Sequence, residues 1–189
     1  MESHTSFPQV GYTLIELILV IVVISVLAAA SLKYYVDLHE QAVKTGHLTQ
    51  ARYFTAAVQI ARAQWLLGQP PEEIPTAAGK KMAVDLGGTI LYVNEMGWPA
   101  NSSVELDSSS ESQTAAECYE LWFALMANPM PATIEGLQSL TGAKGEHQYH
   151  ISLAHSACRY ELVSRLGDDY FFDYDLKTGK VLISALTLD

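Results

Sequence analysis

The chain has no lysine or arginine before Lys33, although the stretch before it is strongly apolar. A secretory signal peptide normally begins with a positively charged region. Residues 1–10 carry one charge, the negative charge of Glu2. Residues 28–30 (AAA) do offer an A-x-A cleavage site, after which a soluble protein would start near Ser31. The missing cations argue against this interpretation.

Proline is absent between Gln9 and Gly68, and only Gly11 and Gly46 interrupt a composition that favours helix. This predicts one helix over residues 13–67, with a length of about 80 Å at 1.5 Å per residue. Such a helix is too long to pack entirely within a compact domain of this size. Its second half carries an apolar stripe at three- and four-residue spacing, which predicts packing against the rest of the chain. The stripe consists of Phe54, Ala57, Val58, Ala61 and Trp65.

The apolar run over residues 17–32 is short for a membrane span. It would be about 24 Å long as a helix, whereas the hydrocarbon core is about 30 Å thick and needs about 20 residues. To span, the helix must include residues 12–16 and therefore Glu16. A charged side chain at bilayer depth costs about 2.5–3.5 kcal/mol and indicates a functional site. A plain anchor explains the apolar run but not Glu16.

Residues 11–17 (GYTLIEL) resemble the processing site of type IV prepilins and of the pseudopilins of type II secretion systems. The resemblance covers seven consecutive residues directly before an apolar helix. It implies that a prepilin peptidase cleaves after Gly11, removes the leader (residues 1–11) and N-methylates Tyr12. It also implies that Glu16 acts in filament assembly. In that family the first mature residue is usually Phe and the leader is usually basic.

An isolated carboxylate in hydrocarbon tends to neutralise or to find a partner. Cleavage after Gly11 would create an α-amine on Tyr12, about one helical turn from Glu16. Between subunits that are staggered along the helix axis, the Glu16 carboxylate of one subunit can pair with the α-amine of its neighbour. A subunit would then dock only where its Glu16 meets a neighbour's amine.

The resemblance implies four segments: a leader over residues 1–11, a transmembrane and filament-core helix over 12–32, an amphipathic continuation over 33–67 and a globular α+β head over 68–189. It places the protein in the bacterial inner membrane with the head in the periplasm, and on the cell surface after assembly into a pilus. The expected partners are other pilins or pseudopilins, the prepilin peptidase and the inner membrane. A net charge of −10 argues against nucleic-acid binding, and no cofactor is expected.

The two cysteines, Cys118 and Cys158, both follow the apolar segment. If this part of the chain is exported, an oxidising compartment favours a disulfide between them. Closing the 40-residue separation would stabilise the fold by about 4 kcal/mol. Two buried free thiols are the alternative.

The expected fold class is α+β, with the long N-terminal helix packed against a C-terminal antiparallel β-sheet head. Thr114-x-x-Glu117 is a capping box that opens a second helix. Residues 75–81 and 97–101 are predicted as loop and turn, residues 89–93 as a strand and residues 134–140 as a short helix. The final sheet is predicted from the alternation over residues 158–163 and from strands over residues 170–174 and 181–186, which flank a turn at residues 175–180. The pattern Cys-x-Tyr-x-Leu from Cys158, with the hairpin after it, resembles minor pilins of mannose-sensitive haemagglutinin systems.

Motifs for catalysis are absent: the chain has no G-x-S-x-G sequence and no phosphate-binding loop. His147, His150 and His155 suggest a metal site, but the alternation of residues 148–153 places the first two on opposite faces of a strand. A calcium site is the alternative to a solvated surface for four acidic residues near the last hairpin. These are Asp168, Asp169, Asp173 and Asp175. We therefore expect no enzyme and no metal.

The predicted function is that of a structural subunit, a minor pilin or pilus-assembly factor of a type IV pilus-like filament. A type II secretion pseudopilin is the alternative within the family. A membrane-anchored periplasmic binding protein or hydrolase is the alternative from another class. That alternative predicts a pocket and no defect when Glu16 is replaced by an apolar residue.

Overall fold

The computed structural model describes residues 13–68, 72–76, 79–106, 108–109, 111, 113–134, 148–163 and 170–184. The chain forms two compact units, the first ending at Val43 and the second beginning at Lys44. Helix α1 (Leu14–Leu67) supplies residues to both units. The long helix predicted over residues 13–67 is therefore confirmed, and Gly46 lies within it without interrupting it.

In the described part of the chain, the second unit adds one short helix and nine strands. The elements are β1 (Glu72–Thr76), β2 (Gly79–Leu86), β3 (Thr89–Val93), β4 (Pro99–Asn101), α2 (Ala115–Leu125), β5 (Ala132–Ile134), β6 (Gln148–Ala154), β7 (Ala157–Val163), β8 (Tyr170–Asp175) and β9 (Lys180–Ile183). They form a four-stranded sheet in the order β1-β2-β3-β4 and a five-stranded sheet in the order β5-β6-β7-β8-β9. The fold class is α+β, as predicted.

The four-stranded sheet corrects the prediction of a loop over residues 75–81. All its neighbouring strands are antiparallel, and β1 pairs with β2 from Glu72 opposite Ala83 to Thr76 opposite Gly79. Pro75 lies on β1, an edge strand of the sheet, where the missing N–H of proline is tolerated. The predicted strand over residues 89–93 is confirmed as β3. The predicted turn over residues 97–101 is wrong in its second half, which forms β4 and pairs with β3.

The five-stranded sheet contains the predicted C-terminal strands and one parallel pair. Strands β6 to β9 are antiparallel neighbours, whereas β5 runs parallel to β6. A parallel pair needs a connection of about a dozen residues, and residues 135–147 connect β5 to β6. The short helix predicted from Ile134 is wrong at that residue, which ends β5. Residues 135–140 and the end of the last predicted strand lie outside the described residues.

The core of the second unit is aromatic and centres on Phe54 of α1, which is fully buried. Its ring centroid lies 4.9 Å from that of Tyr160 on β7 and 5.4 Å from that of Phe172 on β8. Of the predicted stripe, Phe54, Val58 and Ala61 are buried, while Ala57 and Trp65 are half-buried. The inward residues of β7, as predicted from its alternation, are Cys158, Tyr160 and Leu162.

Helix α2 begins with the predicted capping box. The Thr114 hydroxyl accepts from the backbone N–H of Glu117, and the Glu117 carboxylate accepts from the Thr114 N–H at 2.6 Å. The helix buries the face that carries Leu121, Trp122 and Leu125. Trp122 on that face donates its Nε1–H to the carbonyl of Met130 at 3.0 Å, which ties the helix to the segment leading into β5.

Candidate functional site

The first unit exposes apolar side chains on every side of its helix. Each residue over 13–42 is exposed, and Leu14 and Ile15 expose 76% and 77% of their surface. By length and composition alone, this segment of α1 could cross a membrane. None of its most apolar stretch is buried. Soluble monomers rarely expose contiguous apolar patches larger than a few hundred Å². The surface therefore requires lipid or protein to cover it.

Glu16 lies in the first turn of this exposed helix. Its backbone N–H donates to the Thr13 carbonyl at 3.1 Å and contacts the Thr13 hydroxyl at 3.4 Å. Thr13 therefore caps the helix as Thr114 caps α2. The two helices share the sequence Thr-x-x-Glu at their starts.

The two glutamates at these helix starts differ in what their carboxylates contact. The Glu117 carboxylate closes its capping box and is buried, with 2% of the residue exposed. The Glu16 carboxylate is exposed and has no hydrogen-bond or ion-pair partner among the described residues. No capping-box hydrogen bond among the described residues therefore holds the Glu16 carboxylate, which favours the N-terminus of the helix through the helix dipole and is available for a partner outside this part of the chain.

Other polar side chains in the apolar segment are satisfied by their own helix. The Ser25 hydroxyl donates to the Ile21 carbonyl at 2.7 Å, and the Ser31 hydroxyl donates to the Ala28 carbonyl at 3.0 Å. A hydroxyl bonded in this way can lie in hydrocarbon at little cost. Glu16 is the one charged residue in the sequence over residues 14–32. Gly11 and Tyr12, the predicted cleavage and methylation residues, lie outside the described residues.

The predicted pair of cysteines forms a disulfide within the second unit. Cys118 on α2 and Cys158 on β7 are bonded, with their Cα atoms 5.5 Å apart. Both residues are fully buried. The side-chain amide of Gln113 lies 3.4 Å from the Cys158 sulfur. The bond joins the short helix to the centre of the five-stranded sheet.

His47 is a buried histidine that the sequence interpretation missed. It lies on α1 with 2% of its surface exposed, and its Nδ1 is 2.9 Å from the Tyr149 hydroxyl on β6. Its Nε2 makes no hydrogen bond of normal geometry with a described residue. Burial lowers the pKa of His47, and the nearby backbone carbonyl of Phe171 opposes this more weakly. The available signal was its position seven residues, about two helical turns, before Phe54, which places it on the same face of α1.

The predicted histidine cluster does not form from the residues that the structure describes. His150 lies on β6, where its Nδ1 is 3.4 Å from the Thr133 hydroxyl. His155 lies in the exposed turn after that strand, with a positive φ of 51°. His147 lies outside the described residues. Among the described residues, no group of three His, Cys, Asp or Glu side chains is arranged to hold a metal ion.

Two of the four acidic residues near the last hairpin have structural partners. Asp173 accepts from Nε and Nη2 of Arg159, both at 2.8 Å, and this pairing raises the pKa of the guanidinium. Asp175 accepts from the backbone N–H of Lys177 at 2.9 Å and from the Thr178 hydroxyl at 2.7 Å. Asp168 and Asp169 lie outside the described residues.

A cluster of one arginine and two tryptophans lies near the end of α1. The Arg62 guanidinium is 4.3 Å from the ring centroid of Trp65 and 5.0 Å from that of Trp98. A Cβ atom on Gly97 would clash with both Arg62 and Trp65, and φ at this glycine is +78°. Gly97 therefore allows the β3–β4 turn to approach the helix closely.

Together these features define an α+β protein with a long N-terminal helix, a second unit that contains a disulfide, and an exposed apolar segment that carries one carboxylate, Glu16. No protein-family model, curated protein or solved structure is significantly similar to the chain.

Proposed function

We propose that the chain is a structural subunit of a type IV pilus-like filament, as a minor pilin or pilus-assembly factor. It would be processed after Gly11 and assembled through the first half of α1. The observation that carries the proposal is the exposed apolar helix with Glu16 in its first turn, whose carboxylate has no hydrogen-bond or ion-pair partner among the described residues. An anchor alone would need the apolar surface but not the carboxylate.

The pairing partner would be the α-amine of Tyr12 that cleavage creates. Tyr12 precedes Glu16 by four residues, which corresponds to about 6 Å along the axis of an ideal helix. A neighbouring subunit displaced along the same axis can supply its amine instead. Pairing in a low-dielectric setting favours the one axial stagger at which both charges are satisfied.

The same arrangement supports a bacterial inner-membrane location before assembly. The apolar segment would span the membrane with the second unit in the periplasm, and the pilus would carry it to the cell surface. The disulfide fits this location because disulfides persist in the oxidising periplasm. The prepilin peptidase and other pilins are the partners that this function requires.

The test is incorporation of Glu16→Leu into filaments of the native host. The leucine variant is expected to insert into the membrane as well as the wild type, because the substitution only makes the segment more apolar. It is expected to be depleted from sheared filaments, measured as the ratio of filament-bound to membrane-bound protein.

Ser25→Ala is the matched control for this test. Ser25 lies on the same exposed segment, and its hydroxyl bonds only to its own helix. This variant is expected to enter filaments normally. Equal incorporation of Glu16→Leu and Ser25→Ala would contradict the proposed role of the carboxylate.

A further inference from the structure

Three consecutive exposed residues follow the apolar segment of α1: Lys33, Tyr34 and Tyr35, called here the interfacial belt. Tyr34 and Tyr35 expose 76% and 69% of their surface. Lys33 is the first cation of the chain and ends a stretch without charged residues over 17–32. Tyrosine rings and snorkelling lysines favour the boundary between lipid headgroups and hydrocarbon.

The distribution of these side chains around the helix favours lipid over a protein partner. Successive residues of an α-helix are about 100° apart, so the belt covers about 200° of the circumference. Residues over 13–42 are exposed on all faces. A protein that docked on one side would leave part of the belt and of the apolar surface uncovered. A surrounding bilayer covers both.

We propose that the interfacial belt sets the depth of α1 in the membrane by binding the headgroup boundary at one face of the bilayer. This inference rests on the membrane insertion that the proposed function requires. From Tyr34 to Glu16 the helix rises about 27 Å, and the hydrocarbon layer is about 30 Å thick. When α1 stands upright with Tyr34 at one boundary of the hydrocarbon layer, Glu16 lies about 3 Å inside the opposite boundary.

The belt and Glu16 favour opposite shifts of α1 along its axis. A shift of α1 by about 3 Å would bring Glu16 to the opposite headgroups. The same shift would draw Lys33 and both tyrosines into hydrocarbon. The belt therefore keeps the carboxylate inside the hydrocarbon and away from the headgroup water.

The test measures which residues of α1 water can reach. Full-length protein is reconstituted in liposomes of phosphatidylethanolamine and phosphatidylglycerol, with single cysteines introduced as Ser31→Cys, Val36→Cys or Leu38→Cys. The two native cysteines are disulfide-bonded and fully buried, so a water-soluble maleimide reports the introduced thiol alone. With the belt intact, we expect Ser31→Cys to be protected and the other two to be labelled.

The belt is then replaced by Lys33→Ser/Tyr34→Ser/Tyr35→Ser. Serines in this helix bond to their own backbone, as Ser25 and Ser31 do, so they can enter hydrocarbon. Without the belt, α1 is expected to shift by about 3 Å, or two residues, in the direction that brings Glu16 to the opposite headgroups. Val36→Cys then moves from about 3 Å outside the boundary to the boundary itself, so its labelling slows, while Leu38→Cys takes the depth that Val36→Cys had and remains labelled. If apolar length alone sets the depth, Val36→Cys keeps its labelling rate, and that result overturns the inference.

Two further outcomes separate this inference from the proposed function. If Ser31→Cys is labelled equally fast with and without liposomes, the helix does not enter the bilayer and the proposed function fails with it. If Ser31→Cys is protected in lipid-free protein as well, a protein covers the segment and the lipid partner is wrong. Tyr34→Trp/Tyr35→Trp is the matched control, since tryptophan preserves the belt and must leave the labelling pattern unchanged.

Discussion

The ring of His47 on α1 and the hydroxyl of Tyr149 on β6 form a buried hydrogen bond of 2.9 Å. Burial raises the pKa of Tyr149, so the hydroxyl keeps its proton. A neutral His47 ring can accept from this hydroxyl or donate to it, depending on its tautomer. The rings of Tyr149, Tyr170 and Phe172 surround this histidine at centroid distances of 5.9 Å, and none of them carries a negative charge.

Acidification should therefore destabilise the second unit through His47. In the unfolded chain its pKa is about 6.5, while burial lowers the pKa in the folded state. The unfolded state binds more protons between these two values, so stability falls as pH decreases from about 6.5 toward the lowered pKa, and this contribution levels off below it. The measurement is the midpoint of urea unfolding of the full chain in detergent, monitored by tryptophan fluorescence at several pH values between 7.5 and 5.

His47→Gln and His150→Gln are the variants to compare in that titration. The first removes the buried titrating ring and is expected to flatten the pH dependence in this range, at a lower overall stability. The second replaces a half-buried ring on β6 and is the control for removing an imidazole elsewhere in the same unit. If the slope survives in His47→Gln, another group is responsible.

The disulfide should supply a large share of the stability of the second unit. The bond between Cys118 and Cys158 closes a separation of 40 residues, and the chain-entropy model gives about 4 kcal/mol for such a loop. The variant Cys118→Ala/Cys158→Ala is expected to lose about this much free energy of unfolding in urea. Because both residues are fully buried, the native bond should also resist reductant until the protein unfolds. A loss below about 1 kcal/mol would show that the bond is dispensable.

The turn between β6 and β7 holds two residues in a conformation that suits glycine or asparagine. His155 and Ser156 have positive φ angles of 51° and 64°. Two-residue hairpin turns of this kind favour Asn-Gly. The variant His155→Asn/Ser156→Gly is therefore expected to stabilise the protein by about 1 kcal/mol, measured as an increase in the urea midpoint.

Ala154→Gly is the control for the turn variant. Ala154 is the last residue of β6 and pairs with Ala157, so glycine there should cost about 0.5–1 kcal/mol. If the turn variant destabilises the protein to the same extent, the two side chains contribute contacts that outweigh the backbone strain.

Elements set by local rules could be predicted from the sequence. The α1 helix follows from a long stretch without proline, and the start of α2 follows from Thr114 and Glu117, three residues apart. The strand β7 follows from its alternation, which places Tyr160 inward. In each case the signal lies within a few residues of the element that it predicts.

Elements set by distant contacts could not be predicted in the same way. Strand β1 contains Pro75 and becomes a strand only because β2 pairs with it. The partner of His47 is 102 residues away along the chain. The contacts of Glu16 also could not be predicted from the sequence. The same Thr-x-x-Glu sequence closes a capping box in α2, whereas in α1 the Glu16 carboxylate bonds to no residue that the structure describes.

The most direct test of the proposed function is the mass of the mature N-terminus. The protein is purified from membranes of its native host, digested, and analysed by mass spectrometry for its N-terminal peptide. The account predicts a chain that begins with N-methylated Tyr12, because only this cleavage creates the amine that can pair with Glu16. An N-terminal peptide that begins at Met1, or one that begins near Ser31, would contradict it.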